Sequence, residues 1–496
     1  MIPVAEALRV HPRDNVLVAL RDLQPGERIG SPEEDLVVKF LVPRGHKLAA
    51  TPINAGAAVR KYGWPIGLAT QEIAPGEHVH THNLATALTA HEDYIYTPVP
   101  PLPRGPADSH TFLGYPRHSG RVGTRNEIWV LCTVGCVART AGRIAEIAGE
   151  RLKGRVDGVY ALTHPFGCSQ LGEDLMRTRQ VLASLAAHPN AGGILVVGLG
   201  CENNQLRALL EAANLDSSRV RSFNAQAVDD EVAEGVRAVE ELADLLQEDT
   251  RVSRPLSDLV VGLKCGGSDA FSGLTANPLV GRISTLIADA GGTPILSEIP
   301  ELFGAERMLM ARAMDQGVFD EAAKLVNDFK HYFTAAGQQV SENPSPGNLA
   351  GGITTLEEKS LGAVQKAGDA SLTQVLRYGE RIRRPGLALL ESPGNDAVSS
   401  TALAAAGATV LLFTTGRGTP LGFPAPTLKI SSTSTLAEAK PRWIDFNAGP
   451  LLTGAAMDDL AHEFLELVIA TASGRPTRAE INGERELAIW KTGVTL

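Results

Sequence analysis

Nowhere in the 496-residue chain do about 18 apolar residues run without interruption, so no membrane-crossing helix is expected. The opening MIPVAEALRVHPRDN lacks the basic segment, long apolar core and small-residue cleavage site of a signal peptide, which points to the cytoplasm. Aromatic residues make up only 5%, too few for extended stacking platforms. Long basic runs are also missing, and with a formal net charge of −10 this argues against nucleic acid as a partner. Cysteine is scarce: Cys132, Cys136, Cys168, Cys201 and Cys265. An odd, sparse set does not read as a disulfide framework and fits a reducing compartment. No glycine-rich segment is followed by the Lys-Ser or Lys-Thr of a Walker A loop. No GxGxxG run sits in a βαβ setting, so a nicotinamide cofactor gains little support.

Glycine (50) and proline (30) are plentiful, while hydrophobic (44%) and charged (21%) fractions are those of an ordinary globular protein. The length predicts roughly two to four domains. Residues 1–96 read as a small β-rich unit: NVLVAL and DLVVKFLV are short apolar runs separated by turns such as PGERIG and APGEH, with one short helical stretch near AGAAVRKYG. TPVPPLPRGPADSH (97–110) carries five prolines and reads as an extended linker. Beyond it the pattern changes. EIWVLCTVGC, VDGVYALTHPFGC, AGGILVVGLGC and DLVVGLKCGGSD are strands apolar throughout, and the first is followed by the helical spacing of VARTAGRIAEIAGERL. Such runs alternating with helices predict parallel sheets buried on both faces. We divide this remainder into two α/β domains, 111–255 and 256–496.

Ligands of open α/β sheets gather at the carboxyl ends of the strands. Four such ends carry cysteine, so Cys136, Cys168, Cys201 and Cys265 are expected to converge, whereas Cys132 lies within its strand and reads as core. The same turns are crowded with polar groups: His164, Ser169 and Gln170; Asn203 and Asn204; Lys264, Ser268 and Asp269. Each turn alone reads as a helix cap; together they suit a small, highly hydroxylated ligand. NPSPGNLAGGITTLEEKS (343–360) reads as a long lid loop or a solvated linker. TTGRGTP offers backbone N–H groups and Arg417 to an anion.

HVHTHN (78–83) spaces three histidines two apart, placing them on one face of an extended strand. On an ideal strand His78 and His82 stand roughly 13 Å apart, too far to share one ion. His80 and His82 form the nearer pair, and PRGHK adds His46 and Lys47. A metal or substrate contact and a plain polar edge strand both remain open on spacing alone.

HPRDNVLVAL, GHKLA, KYGWPIG and GEHVHTHN resemble the small SAF-type (β-clip-like) N-terminal domain of sugar-acid dehydratases. RNEIWVLCTVGC, FGCSQLGED, GLGCENNQ, LKCGGSDAFSGLTANP and TTGRGTP are similar to blocks of the altronate/galactarate dehydratase family, and the resemblance covers nearly the whole chain. It implies a multidomain fold, a SAF domain followed by two α/β domains with largely parallel sheets. It also implies an iron-dependent hydro-lyase converting D-altronate to 2-dehydro-3-deoxy-D-gluconate and water in hexuronate breakdown. The ion is expected as Fe(II), with Mn(II) as a substitute, on His80 and His82. The rival arrangement is an iron–sulfur cluster on three of the four strand-end cysteines. His164 and Lys264, each beside a cysteine turn, are the expected acid–base pair. Ser169, Gln170, Asn203, Asn204, Ser268, Asp269 and Arg417 are expected to hold the substrate. Galactarate or another sugar acid as substrate, and a non-catalytic sugar-acid sensor, stay open as alternatives. A homodimer is expected.

Overall fold

The computed structural model describes residues 6–29, 36–100 and 110–496. The proline-rich linker expected over 97–110 falls largely on 101–109, outside the described residues. The N-terminal unit is built from short antiparallel strands. Its main sheet runs β1 (Ala7–Leu8), β2 (Val16–Ala19), β3 (Lys47–Ala49) and β4 (His78–Val79) in that order. Leu48, Val79 and Val16 are buried beneath it. The stretch expected to be helical near AGAAVRKYG is instead a hairpin, Ala58–Lys61 against Trp64–Ala69. Its turn places Tyr62 and Gly63 at positive φ, which favours two-residue hairpin connections over a helix.

The second unit holds a parallel sheet of β5 (Glu127–Cys132), β6 (Val159–Leu162), β7 (Ala191–Gly198) and β8 (Val220–Asn224), ordered β6-β5-β7-β8. Alternation along β5 decides what each face meets. Ile128, Val130 and Cys132 pack with Ile144 and Ala148 of α1 (Ala138–Arg151). Trp129 and Leu131 point the other way, into a core continuous with the C-terminal unit. Both faces are covered, which explains why the strand is apolar from Ile128 to Cys132. A small antiparallel sheet pairs Thr111–Pro116 with Val252–Pro255, bringing the start and end of this unit side by side.

The C-terminal unit is a seven-stranded parallel sheet. In chain order the strands are β9 (Val260–Cys265), β10 (Thr293–Leu296), β11 (Leu372–Leu376), β12 (Leu387–Leu390), β13 (Val410–Thr415), β14 (Thr427–Ser431) and β15 (Phe446–Asn447). In space they run β11-β12-β10-β9-β13-β14-β15. The segment expected as a lid or linker, 343–360, is neither. Pro346–Ala350 forms a short helix, α2, and Leu356–Ala363 forms α3, every residue of which is buried. Ser345 and Asn348 cap the first reciprocally, and the Thr355 hydroxyl accepts from the Glu358 N–H to cap the second. Among the described residues no helix is long and apolar enough to cross a membrane.

Candidate active site

β9 is central, its successor β10 lies on one side and β13 on the other, so strand order reverses between β9 and β13. A crevice opens at the carboxyl ends of such a pair. There the Cys265–Asp269 turn meets the Thr415–Gly418 turn, the Gly416 N–H donating to the Gly267 carbonyl at 2.9 Å. Cys265 Sγ lies 2.8 Å from Ser268 Oγ, and Asn348 Nδ2 donates to the Ser268 carbonyl at 2.8 Å. Asp269 Oδ1 accepts from the N–H of Phe271 and from the N–H and hydroxyl of Ser272. Its Oδ2 accepts from the Ser432 hydroxyl at 3.0 Å. Arg417, exposed at the mouth, donates to the Gly347 carbonyl of α2.

Beneath this rim lies a buried charge network. Lys264 bonds Glu298 and sits 2.9 Å from Asp396; Lys366 reaches Glu298 at 3.5 Å; Lys359 reaches Glu301 at 2.9 Å. Burial opposes the charge on Lys264, but Glu298, Asp396 and Glu301 outweigh it and raise its pKa above the ordinary lysine value. Pairing with Glu298 and Asp396 favours its ammonium form, which makes proton exchange, the role expected of it, harder.

The histidines reach the same place from the N-terminal unit. The expected extended strand ends at Val79, and residues 80–83 form a turn. Buried Asn83 fixes it: the His80 N–H donates to Asn83 Oδ1 at 2.9 Å and Asn83 Nδ2 donates to the His78 carbonyl at 3.0 Å. The turn folds His82 back, so the rings of His78 and His82 are 5.5 Å apart. His46, on the neighbouring strand, stacks on His80 at 4.9 Å and lies 3.0 Å, Nδ1 to Nε2, from His78. Burial pushes His78 down to about 3 and His80 down to about 4, and also lowers His46, so these imidazoles stay neutral. His80 Nε2 and His46 Nε2 lie 3.2 and 3.5 Å from the carbonyls of Leu349 and Ala350, which seats the cluster on α2.

Lys47 and Lys61 lock the two units together through Glu358, at 2.8 and 2.9 Å, all three fully buried. Burial alone would raise Glu358, but the two ammoniums hold it well below the ordinary carboxylate range. At both lysines burial works against the charge and Glu358 works for it.

The other expected residues lie elsewhere. His164, Ser169, Gln170, Asn203 and Asn204 line the strand ends of the second unit. His164 is buried, its Nε2 2.9 Å from the Cys132 carbonyl and its Nδ1 accepting the Phe166 N–H at 3.1 Å; burial lowers it to about 4. With both ring nitrogens committed to backbone, the geometry does not support an acid–base role. Gln170 is likewise consumed between the Gly167 N–H and Thr178. Asn204 holds Thr133 and accepts from Arg179, leaving Ser169 and Asn203 nearer the surface. The four strand-end cysteines do not form one group: Cys136, Cys168 and Cys201 are exposed on the second unit, while Cys265 is buried in the other sheet. Glu298, Glu301, Lys359, Glu358 and Lys61 were not anticipated. Lys61 ends a mixed hairpin strand, Glu298 and Glu301 lie in and beside a short helical turn, and Glu358 and Lys359 lie in α3; none carries a local signal of burial.

Four clustered imidazoles have the donor chemistry of a first-row divalent ion. Among the described residues, however, no three His, Cys, Asp or Glu groups are arranged around one point to hold an ion.

A β domain presenting imidazoles to the switch-point crevice of a doubly wound sheet has the build of a multidomain metabolic enzyme whose site lies between units. Comparison with known proteins agrees with that build. Residues 5–87 match the altronate/galactarate dehydratase SAF domain. Residues 114–247 match the second domain of D-galactarate dehydratase/altronate hydrolase, and 256–495 the C-terminal domain of D-galactarate/altronate dehydratase. The chain is 48% identical to altronate dehydratase of Escherichia coli (strain K12) over 493 residues, and 48% identical to that of Bacillus subtilis (strain 168) over 494, covering 99% of both partners each time. It is 34% identical to galactarate dehydratase (L-threo-forming) of E. coli over 498 residues, covering 95% of this chain and 94% of that one. The chain belongs to the altronate/galactarate dehydratase family of hydro-lyases.

Proposed function

We propose that this enzyme dehydrates D-altronate to 2-dehydro-3-deoxy-D-gluconate, removing the proton alpha to the carboxylate and expelling the 3-hydroxyl as water. The observation that carries this reading is the full-length 48% identity to two altronate dehydratases, against 34% to the galactarate enzyme. The site is suited to the chemistry. The alpha proton is weakly acidic, and its loss leaves a doubly charged enediolate that needs fixed positive charge. Arg417 at the crevice mouth offers a guanidinium to the carboxylate. His46 and His78, neutral and hydrogen-bonded to each other, provide a path for the departing proton from one ring nitrogen to the next. His80 and His82 would hold a ferrous ion, which would supply Lewis-acid stabilisation; to ligate it His80 would have to release Thr81 Oγ1 from Nδ1 or the Leu349 carbonyl from Nε2.

The test is a 2-keto acid assay on D-altronate and on galactarate with anaerobic Fe(II), paired with Fe(II) titration of wild type and of His80→Ala/His82→Ala. Turnover of altronate, with Fe(II) affinity weakened at least tenfold in the double variant, is expected. Turnover of galactarate alone overturns the substrate, and unchanged Fe(II) affinity overturns the ligand assignment.

A further inference from the structure

The two α/β units also meet at the amino ends of their strands, on the side away from the crevice. A groove runs there past the starts of β7, β8 and β9, in two adjoining lobes of about 640 Å³ each. Both lobes share Arg381, from the C-terminal unit, and one of them takes in Arg121, from the second unit. Tight turns place the two side chains. Arg121 follows the turn between Thr111–Pro116 and Val122–Gly123, closed by the Arg117 N–H donating to the Arg121 carbonyl at 2.9 Å. A Cβ at Gly123 would lie 2.2 Å from the Pro189 carbonyl oxygen, so this hairpin is seated hard against the groove wall. Arg381 precedes buried Ile382, whose N–H donates to the Ala406 carbonyl at 3.0 Å. The Ile382 carbonyl in turn accepts from Arg121 Nη2 at 2.8 Å, which brings that guanidinium to the residue next to Arg381.

The carboxylates of the groove are already engaged. Asp249 is held by Arg117 at 3.2 Å and by Arg219 at 2.7 Å. Asp258 lies 2.6 Å from Arg254, and Glu380 lies 3.3 Å from Arg383. Asp216 accepts from the N–H and hydroxyl of Ser218. Among the described residues Arg121 bonds only a carbonyl, and Arg381 has no hydrogen-bond or ion-pair partner. Partial burial, then Arg381 itself, lowers the pKa of Arg121, and no carboxylate opposes them. Two helices, Gly172–Ala186 and Asp396–Ala405, end at the groove; their carbonyl ends repel anions, so side chains must supply any grip. We propose that the groove binds a phosphate dianion, free or carried by a small metabolite, between Arg121 and Arg381. A phosphate group carries about 1.5–2 negative charges near neutral pH, which matches two guanidiniums where one carboxylate would leave a charge over. A lobe of about 640 Å³ has room for a sugar-sized body beyond the phosphate. One guanidinium comes from each unit, so the bound anion ties the two together.

The experiment is calorimetric titration of the full chain with glucose 6-phosphate, inorganic phosphate and unphosphorylated glucose at matched ionic strength, with thermal unfolding read alongside. Wild type is compared with Arg121→Gln, Arg381→Gln and Arg417→Ala, circular dichroism showing that each is folded. Arg381 has no partner to lose, so its replacement leaves the fold intact. Saturable one-to-one binding of a phosphate probe and a raised unfolding midpoint are expected in wild type, with no binding of glucose. At least a tenfold loss of affinity is expected in Arg121→Gln and in Arg381→Gln, with turnover in the absence of phosphate kept within about twofold of wild type. Affinity unchanged in Arg417→Ala separates the groove from the active-site crevice. Tighter binding of glucose 6-phosphate assigns the site to a phosphorylated metabolite, and equal or tighter binding of the free ion assigns it to phosphate itself. No saturable binding of either probe, binding that survives both groove substitutions, or binding lost only in Arg417→Ala overturns the proposal.

Discussion

At the scale of single residues, the most consequential side chain is one that contacts no substrate. Glu358 accepts from Lys47, Lys61, and the N–H and hydroxyl of Thr354, all within 3.0 Å. Removing it leaves two ammoniums in a dry interface. Glu358→Ala is expected to lower stability by about 3–5 kcal/mol, the cost of breaking a buried pair from one side, seen as a lower denaturant midpoint. The pH dependence follows from the direction of the shift. The folded-state pKa of Glu358 lies below its ordinary value of 4.5, so its contribution is complete above that value and is lost as pH falls through the folded pKa. Glu358→Gln is expected to flatten the acid limb of a stability-versus-pH curve; an unchanged limb would assign acid sensitivity elsewhere. The sequence announces such residues poorly. LEEKS looks like an exposed helix face, and only long-range packing reveals that all of it is buried. Ser268, Asp269 and Arg417 were legible because glycine-flanked polar turns after apolar strands have few other uses, and they do flank the crevice.

At the scale of elements, histidine spacing and turn chemistry gave opposing instructions, and the turn prevailed. HVHTHN alternates as a strand would, yet Asn83 satisfies backbone groups three and five residues upstream and curls the segment after Val79. That is why His78 and His82 meet at 5.5 Å where an extended chain would separate them. Asn83→Ala is expected to cost about 1–3 kcal/mol, because the His80 N–H loses a buried partner. It is also expected to weaken Fe(II) binding about tenfold as His82 swings out, roughly 1.4 kcal/mol. A calorimetric titration checks both the affinity and the enthalpy. Docking of α2 depends on a second small feature. Gly352 has φ +92°, and a Cβ there would lie 2.3 Å from the Gly45 carbonyl oxygen. Gly352→Ala is expected to cut turnover at least tenfold by displacing the histidine cluster from the crevice, while far-ultraviolet circular dichroism stays unchanged. Strands that are apolar throughout were the most legible elements, since a parallel sheet covered on both faces leaves no polar side to disguise them.

At the scale of the whole molecule, the second and C-terminal units share one continuous core and a set of paired charges distant in sequence. Arg485 reaches Glu127 at 2.8 Å, and Arg125 grips Glu480 at 2.8 and 3.0 Å while also donating to the carbonyls of Thr471 and Arg475. Partners separated by some 350 positions carry no local pattern, so this union was invisible in the sequence even where each sheet was plain. Arg485 lies over the Tyr160 ring at 3.6 Å, adding a stacked contact to the ion pair. Burial raises the pKa of Glu127, and Arg485 is the first of the groups that oppose it. Arg485→Ala should therefore strand a carboxylate that is 1% exposed, at a cost of about 3–5 kcal/mol. The damage should be local. Hydrogen exchange is expected to accelerate in β5 and β6 while β2–β4, in the N-terminal unit, keep their protection. Uniform acceleration across all three units would mean that the molecule opens as a single cooperative body, and that the buried ion pairs between sheets do not divide it.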